Sequence, residues 1–364
     1  MNTAQKVLLT PGPLTTSKSV KEAMLIDMGT RDSEYQNLVQ EVRQTLLQLA
    51  NANEAVYTCV LLQGSGTYGV ESVLTSVVKQ NEKVLILSNG AYGERMEQIC
   101  KAAKVPYDIA SYSMLYQLPL SEIEAQIARK DITHVAYVHS ETTAGVLNDI
   151  KSIQELIHRY QKISIVDAMS SFASLPMSLD ELDVDYLITS ANKCLHGVPG
   201  LALIYAKRSH LDQCEGICPS LSLDLYAQYQ TMEKGNGSFR FTSPTHVLRA
   251  LKQAIGELTE SGGIAARYER YLMIQKRIRE AMLKHGFETL VPYSDQSPVI
   301  TTYLCKEGFV FSDFYDYFKD NDYLLYSGKL PQYDAFRIGN IGEISDADVD
   351  RFIKLLEAYF NEVK

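Results

Sequence analysis

No tryptophan occurs in this chain of 364 residues, and its six cysteines do not form a bridge framework. Cys59, Cys100, Cys194 and Cys305 stand alone, and a chain this long buries enough core to do without staples, so a reducing compartment is expected. Cys214 and Cys218 lack a second Cys/His pair at zinc-like spacing, so no metal site is expected. Long apolar runs are also missing. The opening MNTAQKVLLTPGPLTTS is too short in apolar residues before Pro11 for a signal peptide. The uncharged stretch 55–70 is broken by Gln63 and three glycines, which excludes a membrane span. There is no Lys/Arg block, and 35 basic residues face 44 acidic ones for a net charge of −9, so no nucleic-acid partner is expected. That balance does not tell against an anionic small molecule, because local groups set the potential in a cleft. Apolar residues at 46% and charged residues at 22% exclude a disordered or collagen-like chain. The expectation is a cytoplasmic, soluble protein.

Short apolar runs alternate with helical patterns. Candidate strands cover 55–62, 83–87, 105–109, 134–139, 163–166, 186–189 and 201–205, with helical stretches such as 69–78, 92–103, 121–128 and 151–160 between them. This βαβα cycle predicts an α/β fold with a mostly parallel sheet covered on both faces. The segment 244–283 reads as two helices broken near Gly262-Gly263. Beyond Gly286 come strand-like pieces at 289–292, 299–304 and 335–338 and helices at 311–318 and 346–362, a small α+β unit. We expect a large domain over 16–260. A small domain takes 1–15 and 261–364, including a connecting helix that ends near His285-Gly286.

Four places carry candidate chemistry. Gln63-Gly64-Ser65-Gly66-Thr67-Tyr68-Gly69 follows a strand and opens a helix. Glycines let backbone N–H groups approach an anion, Ser65 and Thr67 add hydroxyls, and the helix N-terminus adds positive potential. A single phosphate fits this, and a plain strand-to-helix turn fits as well. A dinucleotide would need an acid at the end of the next strand, but 84–87 runs into Ser88-Asn89-Gly90. Asp167 ends the apolar run 163–166, where doubly wound sheets bind ligands. It would pair with a protonated ring nitrogen, or merely cap the next helix or pair with a nearby arginine. Lys193 follows the strand 186–189 and lies 26 residues after Asp167, about one βαβ cycle. A partly desolvated lysine becomes a nucleophile able to form a Schiff base, whereas an exposed one is only a surface charge. Arg337, in Phe336-Arg337-Ile338-Gly339-Asn340, suits a bidentate clamp on a carboxylate or a structural ion pair. Together, a phosphate cradle, an acid for a pyridinium nitrogen, an amine for an aldehyde and a carboxylate anchor are the requirements of pyridoxal 5′-phosphate (PLP).

Several spaced motifs deepen this reading: Leu8-Leu9-Thr10-Pro11-Gly12-Pro13-Leu14, Arg31-Asp32-Ser33-Glu34-Tyr35, Asn89-Gly90-Ala91-Tyr92-Gly93, His139-Ser140-Glu141-Thr142-Thr143-Ala144-Gly145 and Phe241-Thr242-Ser243-Pro244-Thr245-His246. Over essentially its whole length the chain resembles the class V aminotransferases of fold type I, most closely the 2-aminoethylphosphonate–pyruvate transaminases. Met28 stands where many of them carry tryptophan. The resemblance implies a large domain built on a seven-stranded sheet. It implies transfer of an amino group from 2-aminoethylphosphonate to pyruvate, giving phosphonoacetaldehyde and L-alanine. By the same resemblance, Lys193 would bind PLP covalently and Asp167 would keep its ring nitrogen protonated. Ser65, Gly66 and Thr67 would hold the phosphate, with Asn192 nearby. Tyr92 would stack on one ring face, Met169 would pack on the other, and Thr142 would approach the ring hydroxyl. Thr242 would reach the phosphate of a neighbouring subunit, making the active site a property of a homodimer. Arg337 would anchor the substrate carboxylate, with Arg31 and Arg240 as candidates for the extra phosphonate charge.

The nearest alternative is alanine–glyoxylate or serine–pyruvate transamination, which would use nearly the same cofactor residues. A cysteine desulfurase would carry histidine before the lysine, where this chain has Asn192, and a cysteine on a mobile loop, for which only Cys214 and Cys218 are candidates.

Overall fold

The computed structural model of the chain describes residues 5–326, 330 and 332–362. The outermost parts of the small-domain assignment (1–4 and 363–364), and 327–329 and 331 within it, lie outside the described residues.

Seven strands form the central sheet, in the order Tyr57–Gln63, Leu201–Lys207, Tyr186–Ser190, Ile163–Asp167, His134–Val138, Val84–Ser88 and Tyr107–Ser111. The last five run parallel, while Leu201–Lys207 is antiparallel to both neighbours. The strands His134–Val138 and Val84–Ser88 are buried throughout. Helices cover both faces of such a sheet, and that is why these strands read as unbroken apolar runs without alternation. Parallel strands all end on the same side, so their following loops converge at one crevice. Among the described residues no helix is long and apolar enough to cross a membrane.

A second hydrophobic cluster joins Leu9 to residues between Ile274 and Leu356. Its centre is Phe336, whose ring lies 5.1–5.8 Å from the rings of Phe287, Tyr303, Phe309, Phe311 and Phe314. Phe336 belongs to the strand Ala335–Gly339, which pairs antiparallel with Ile300–Leu304. Strand alternation then turns Arg337 to the opposite face, away from this aromatic cluster.

Two expected strands differ. The stretch 289–292 makes only an isolated bridge between Thr289 and Tyr303, and Leu290 N–H donates to the Thr302 carbonyl at 2.9 Å. Pro292 has no N–H to extend the ladder and leads into the turn Tyr293–Asp295. The pairing found elsewhere in this unit joins Val7–Leu9 to Tyr323–Leu325 in parallel. The stretch 105–109 starts later, as Tyr107–Ser111, because Pro106 cannot donate to the ladder; its carbonyl accepts from Val84 N–H at 3.1 Å.

Candidate active site

The C-terminal ends of the parallel strands surround a cleft of about 190 Å³. Nine of the thirteen residues singled out from the sequence line it: Ser65, Gly66, Thr67, Tyr92, Thr142, Asp167, Met169, Asn192 and Lys193.

Ser65 is the N-cap of the helix Gly66–Val77, yet its hydroxyl makes no capping bond, and the first turn holds no acidic residue. A free hydroxyl, unpaired N–H groups and an uncompensated helix dipole together favour an anion. At Gly66 a Cβ would run into the Sδ end of Met169, so any other residue there would make that methionine side chain move away.

Asp167 ends its strand with its carboxylate buried. Its Oδ1 accepts from Met169 N–H at 2.9 Å. Burial pushes its pKa up to about 6, against the downward pull of that hydrogen bond and of the Lys193 and Arg95 charges. Lys193 Nζ donates to the Pro11 carbonyl at 2.7 Å. Burial lowers its pKa, Cys194 and Asp167 oppose that, and Arg95 adds to it. The amine is therefore more readily neutral, and more nucleophilic, than an exposed lysine. The Pro11–Pro13 segment packs directly on this side chain: at Gly12, with φ +116°, a Cβ would lie 2.8 Å from Nζ.

Arg337 does not line the cleft. It is buried against the rim, where its Nη1 donates to the carbonyls of Thr142 (2.8 Å) and Thr143 (3.1 Å). Its guanidinium lies 4.5 Å from the Tyr326 ring centre. Thr242 is exposed and lies outside the cleft, next to Ser243, whose hydroxyl is 2.6 Å from that of Tyr35. Neither Arg31 nor Arg240 lines the cleft; Arg240 donates instead to the Leu221 carbonyl at 2.8 Å.

Two ionisable groups escaped the sequence reading. Arg95 lines the cleft, 4.9 Å from the Tyr92 ring centre. The signal was its position three residues after Tyr92, on the same helix face. Glu141 is wholly buried, and burial pushes its pKa up to about 6 against hydrogen bonds from Thr143 and Tyr92. Its signal was an acid inside the uncharged run 132–148.

The family profile described as aminotransferase class-V matches residues 17–320. This chain is a class-V aminotransferase. It is 47% identical over 353 residues to the 2-aminoethylphosphonate–pyruvate transaminase of Bacteroides fragilis (strain YCH46), covering 96% of this chain and 98% of that one. It is 47% identical over 358 residues to the bifunctional phosphonoacetaldehyde hydrolase/aminoethylphosphonate transaminase of Clostridioides difficile (strain 630). There it covers 98% of this chain but 56% of that protein, so the aminotransferase spans little more than half of the bifunctional relative. Its fold is shared with the crystal structure of ureidoglycine–glyoxylate aminotransferase from Bacillus subtilis (TM-score 0.89, 23% identity, 98% of this chain and 93% of that one). Class-V aminotransferases imply PLP, and the residues of this cleft fit it. A buried acid with a raised pKa suits a cationic ring nitrogen, a buried amine suits an aldehyde, and an uncapped helix start suits a phosphate.

Proposed function

We propose that this aminotransferase moves the amino group of 2-aminoethylphosphonate to pyruvate, yielding phosphonoacetaldehyde and L-alanine. The observation that carries the reading is 47% identity to a transaminase of that name over nearly all of both chains. PLP, when bound, supplies the aldehyde that takes up an amine and the ring that accepts electrons from the substrate carbon.

The chain's own residues do the rest. Lys193 would hold the cofactor through Nζ and, once freed, carry a proton to and from the substrate carbon; its lowered pKa suits both tasks. Asp167, ionised above pH about 6, would hold the ring nitrogen protonated. Ser65, Gly66 and Thr67 would donate to the phosphate, with Asn192 beside them, while Tyr92 and Met169 would sandwich the ring and Thr142 would face its hydroxyl. Arg337 would anchor the carboxylate of pyruvate and the phosphonate alike. A phosphonate carries more negative charge than a carboxylate, and Arg95, a cation on the cleft wall, is the residue we assign to the excess. Thr242, exposed here, would meet the phosphate of a second subunit in a homodimer.

The test is the visible spectrum of the purified protein with PLP. 2-Aminoethylphosphonate should bleach the aldehyde band, pyruvate should restore it, and alanine should appear in equal amount to the donor consumed. Serine served in preference to the phosphonate would overturn the substrate assignment while leaving the cofactor assignment standing.

A further inference from the structure

The helix Ala91–Ala103 begins at Gly90, which has no side chain with which to cap it. Its first N–H groups find partners on a different element. Ala91 N–H donates to Thr143 Oγ1 at 3.1 Å, and Tyr92 N–H donates to Glu141 Oε2 at 3.2 Å. Glu141 lies where a side chain at position 90 would go: a Cβ there would be 2.5 Å from Glu141 Cδ. The other oxygen, Oε1, accepts from Thr143 N–H at 2.9 Å and from its hydroxyl at 2.5 Å. This fixes the turn whose Thr142 and Thr143 carbonyls receive Arg337. One buried carboxylate thus joins the backbone of Tyr92 on one side to the seat of Arg337 on the other.

Resting on the reading above, we propose that Glu141 is a positioning residue that caps the helix Ala91–Ala103 from the turn whose Thr142 and Thr143 carbonyls receive Arg337. It sets the cofactor-facing aromatic and the substrate-anchoring arginine as one unit. A buried carboxylate with three donors is the right chemistry for this. Each oxygen serves one arm, and charge-assisted bonds hold geometry more tightly than neutral ones.

Glu141→Gln separates the arms. A glutamine has a single acceptor oxygen, and its amide N–H₂ cannot accept from either Tyr92 or Thr143. We expect the dissociation constant of PLP, read by fluorescence titration, to rise about tenfold, together with KM for both substrates, while kcat falls less. The Glu141→Gln/Arg337→Lys double variant should show a smaller KM rise than the product of the two single effects, because both act through the same turn. Thr143→Val removes the hydroxyl that serves Glu141 and Ala91 and should shift PLP affinity the same way; it stands in if the glutamine variant does not fold. A variant that melts earlier but keeps wild-type PLP affinity and KM values has lost only structure and overturns the proposal, as do multiplicative KM effects in the double variant. Wild-type protein that takes up no PLP overturns both this and the proposed function; wild-type protein that does, with Glu141→Gln unchanged, overturns this alone.

Discussion

Asp167→Asn should make the cofactor-free protein more stable while disabling it. The carboxylate's pKa rises from an ordinary 3.8 to about 6 because burial disfavours the charged form. At alkaline pH that rise is equivalent to about 3 kcal/mol of folding free energy lost. The native protein holds this proton more tightly than the unfolded chain does. Stability from this group therefore falls as pH rises between about 4 and about 6; the penalty is complete above that window and absent below it. Asparagine removes the charge but keeps an oxygen that can accept from Met169 N–H, as Oδ1 does at 2.9 Å. Urea unfolding of the stripped protein, at fixed protein concentration, should show the variant ahead by about 3 kcal/mol at pH 8, with the gap closing towards pH 4. Adding PLP at about a hundred times its dissociation constant should stabilise the wild type by about 2.7 kcal/mol and the variant by less, because asparagine cannot pair with a protonated ring nitrogen. A variant no more stable than wild type at pH 8, or a gap that stays constant down to pH 4, would refute the claim that Asp167 is held in a costly buried state awaiting a cation.

Lys193→Ala should abolish both the visible band of bound PLP and turnover; steady-state activity near wild type would remove the lysine from its proposed role. Arg337→Ala should raise KM for pyruvate and for 2-aminoethylphosphonate by about tenfold or more each, since a buried charge-assisted anchor is lost. Steady-state kinetics showing only one substrate affected would end the idea of a shared anchor. Arg95→Leu should raise KM for the phosphonate several-fold more than for pyruvate, in line with the greater charge of the former. An equal rise for both, or weakened PLP binding with an unchanged ratio, would assign Arg95 to the cofactor instead.

The sheet was legible because its inner strands are buried on both faces and leave continuous apolar runs such as Val84–Ser88. The reversal of Leu201–Lys207 was not, because an antiparallel strand buried on both faces has the same pattern as a parallel one. Lys193 and Asp167 stood out in the sequence because Asp167 directly follows an apolar run and Lys193 comes shortly after another, and strand ends are where side chains reach the crevice. Partners that come from distant segments left no such mark. Pro11, whose carbonyl receives Lys193 Nζ, lies 182 residues away in a strand-poor N-terminal stretch. Glu141 stood out only as part of a motif, since nothing local says that its carboxylate serves a helix that begins 50 residues earlier. Arg337 illustrates the intermediate case. Its isolation in the apolar strand Ala335–Gly339 signalled purpose, but that it would sit on the rim, bound to the Thr142 and Thr143 carbonyls, depended on how the second cluster docks.

The distribution of charge explains why a chain of net −9 suits a cofactor and substrates that are all anionic. The two buried acids lie on one side of the problem: Asp167 and Glu141 are each pushed up to about 6, and the charge of Asp167 contributes to the rise at Glu141. Bringing a cationic ring nitrogen to Asp167 relieves both, because it neutralises the charge that Glu141 feels. In the proposed reading the anionic groups would be met elsewhere, by the uncapped start of Gly66–Val77, by Arg95 on the wall and by Arg337 on the rim. A ligand that is positive at one end and negative at the other is therefore favoured over a simple anion or a simple cation. By this reasoning inorganic phosphate alone should compete with PLP only weakly, because it satisfies the helix start and leaves the cost at Asp167 untouched. Competition of phosphate with PLP at comparable concentrations would show that the acid end contributes little.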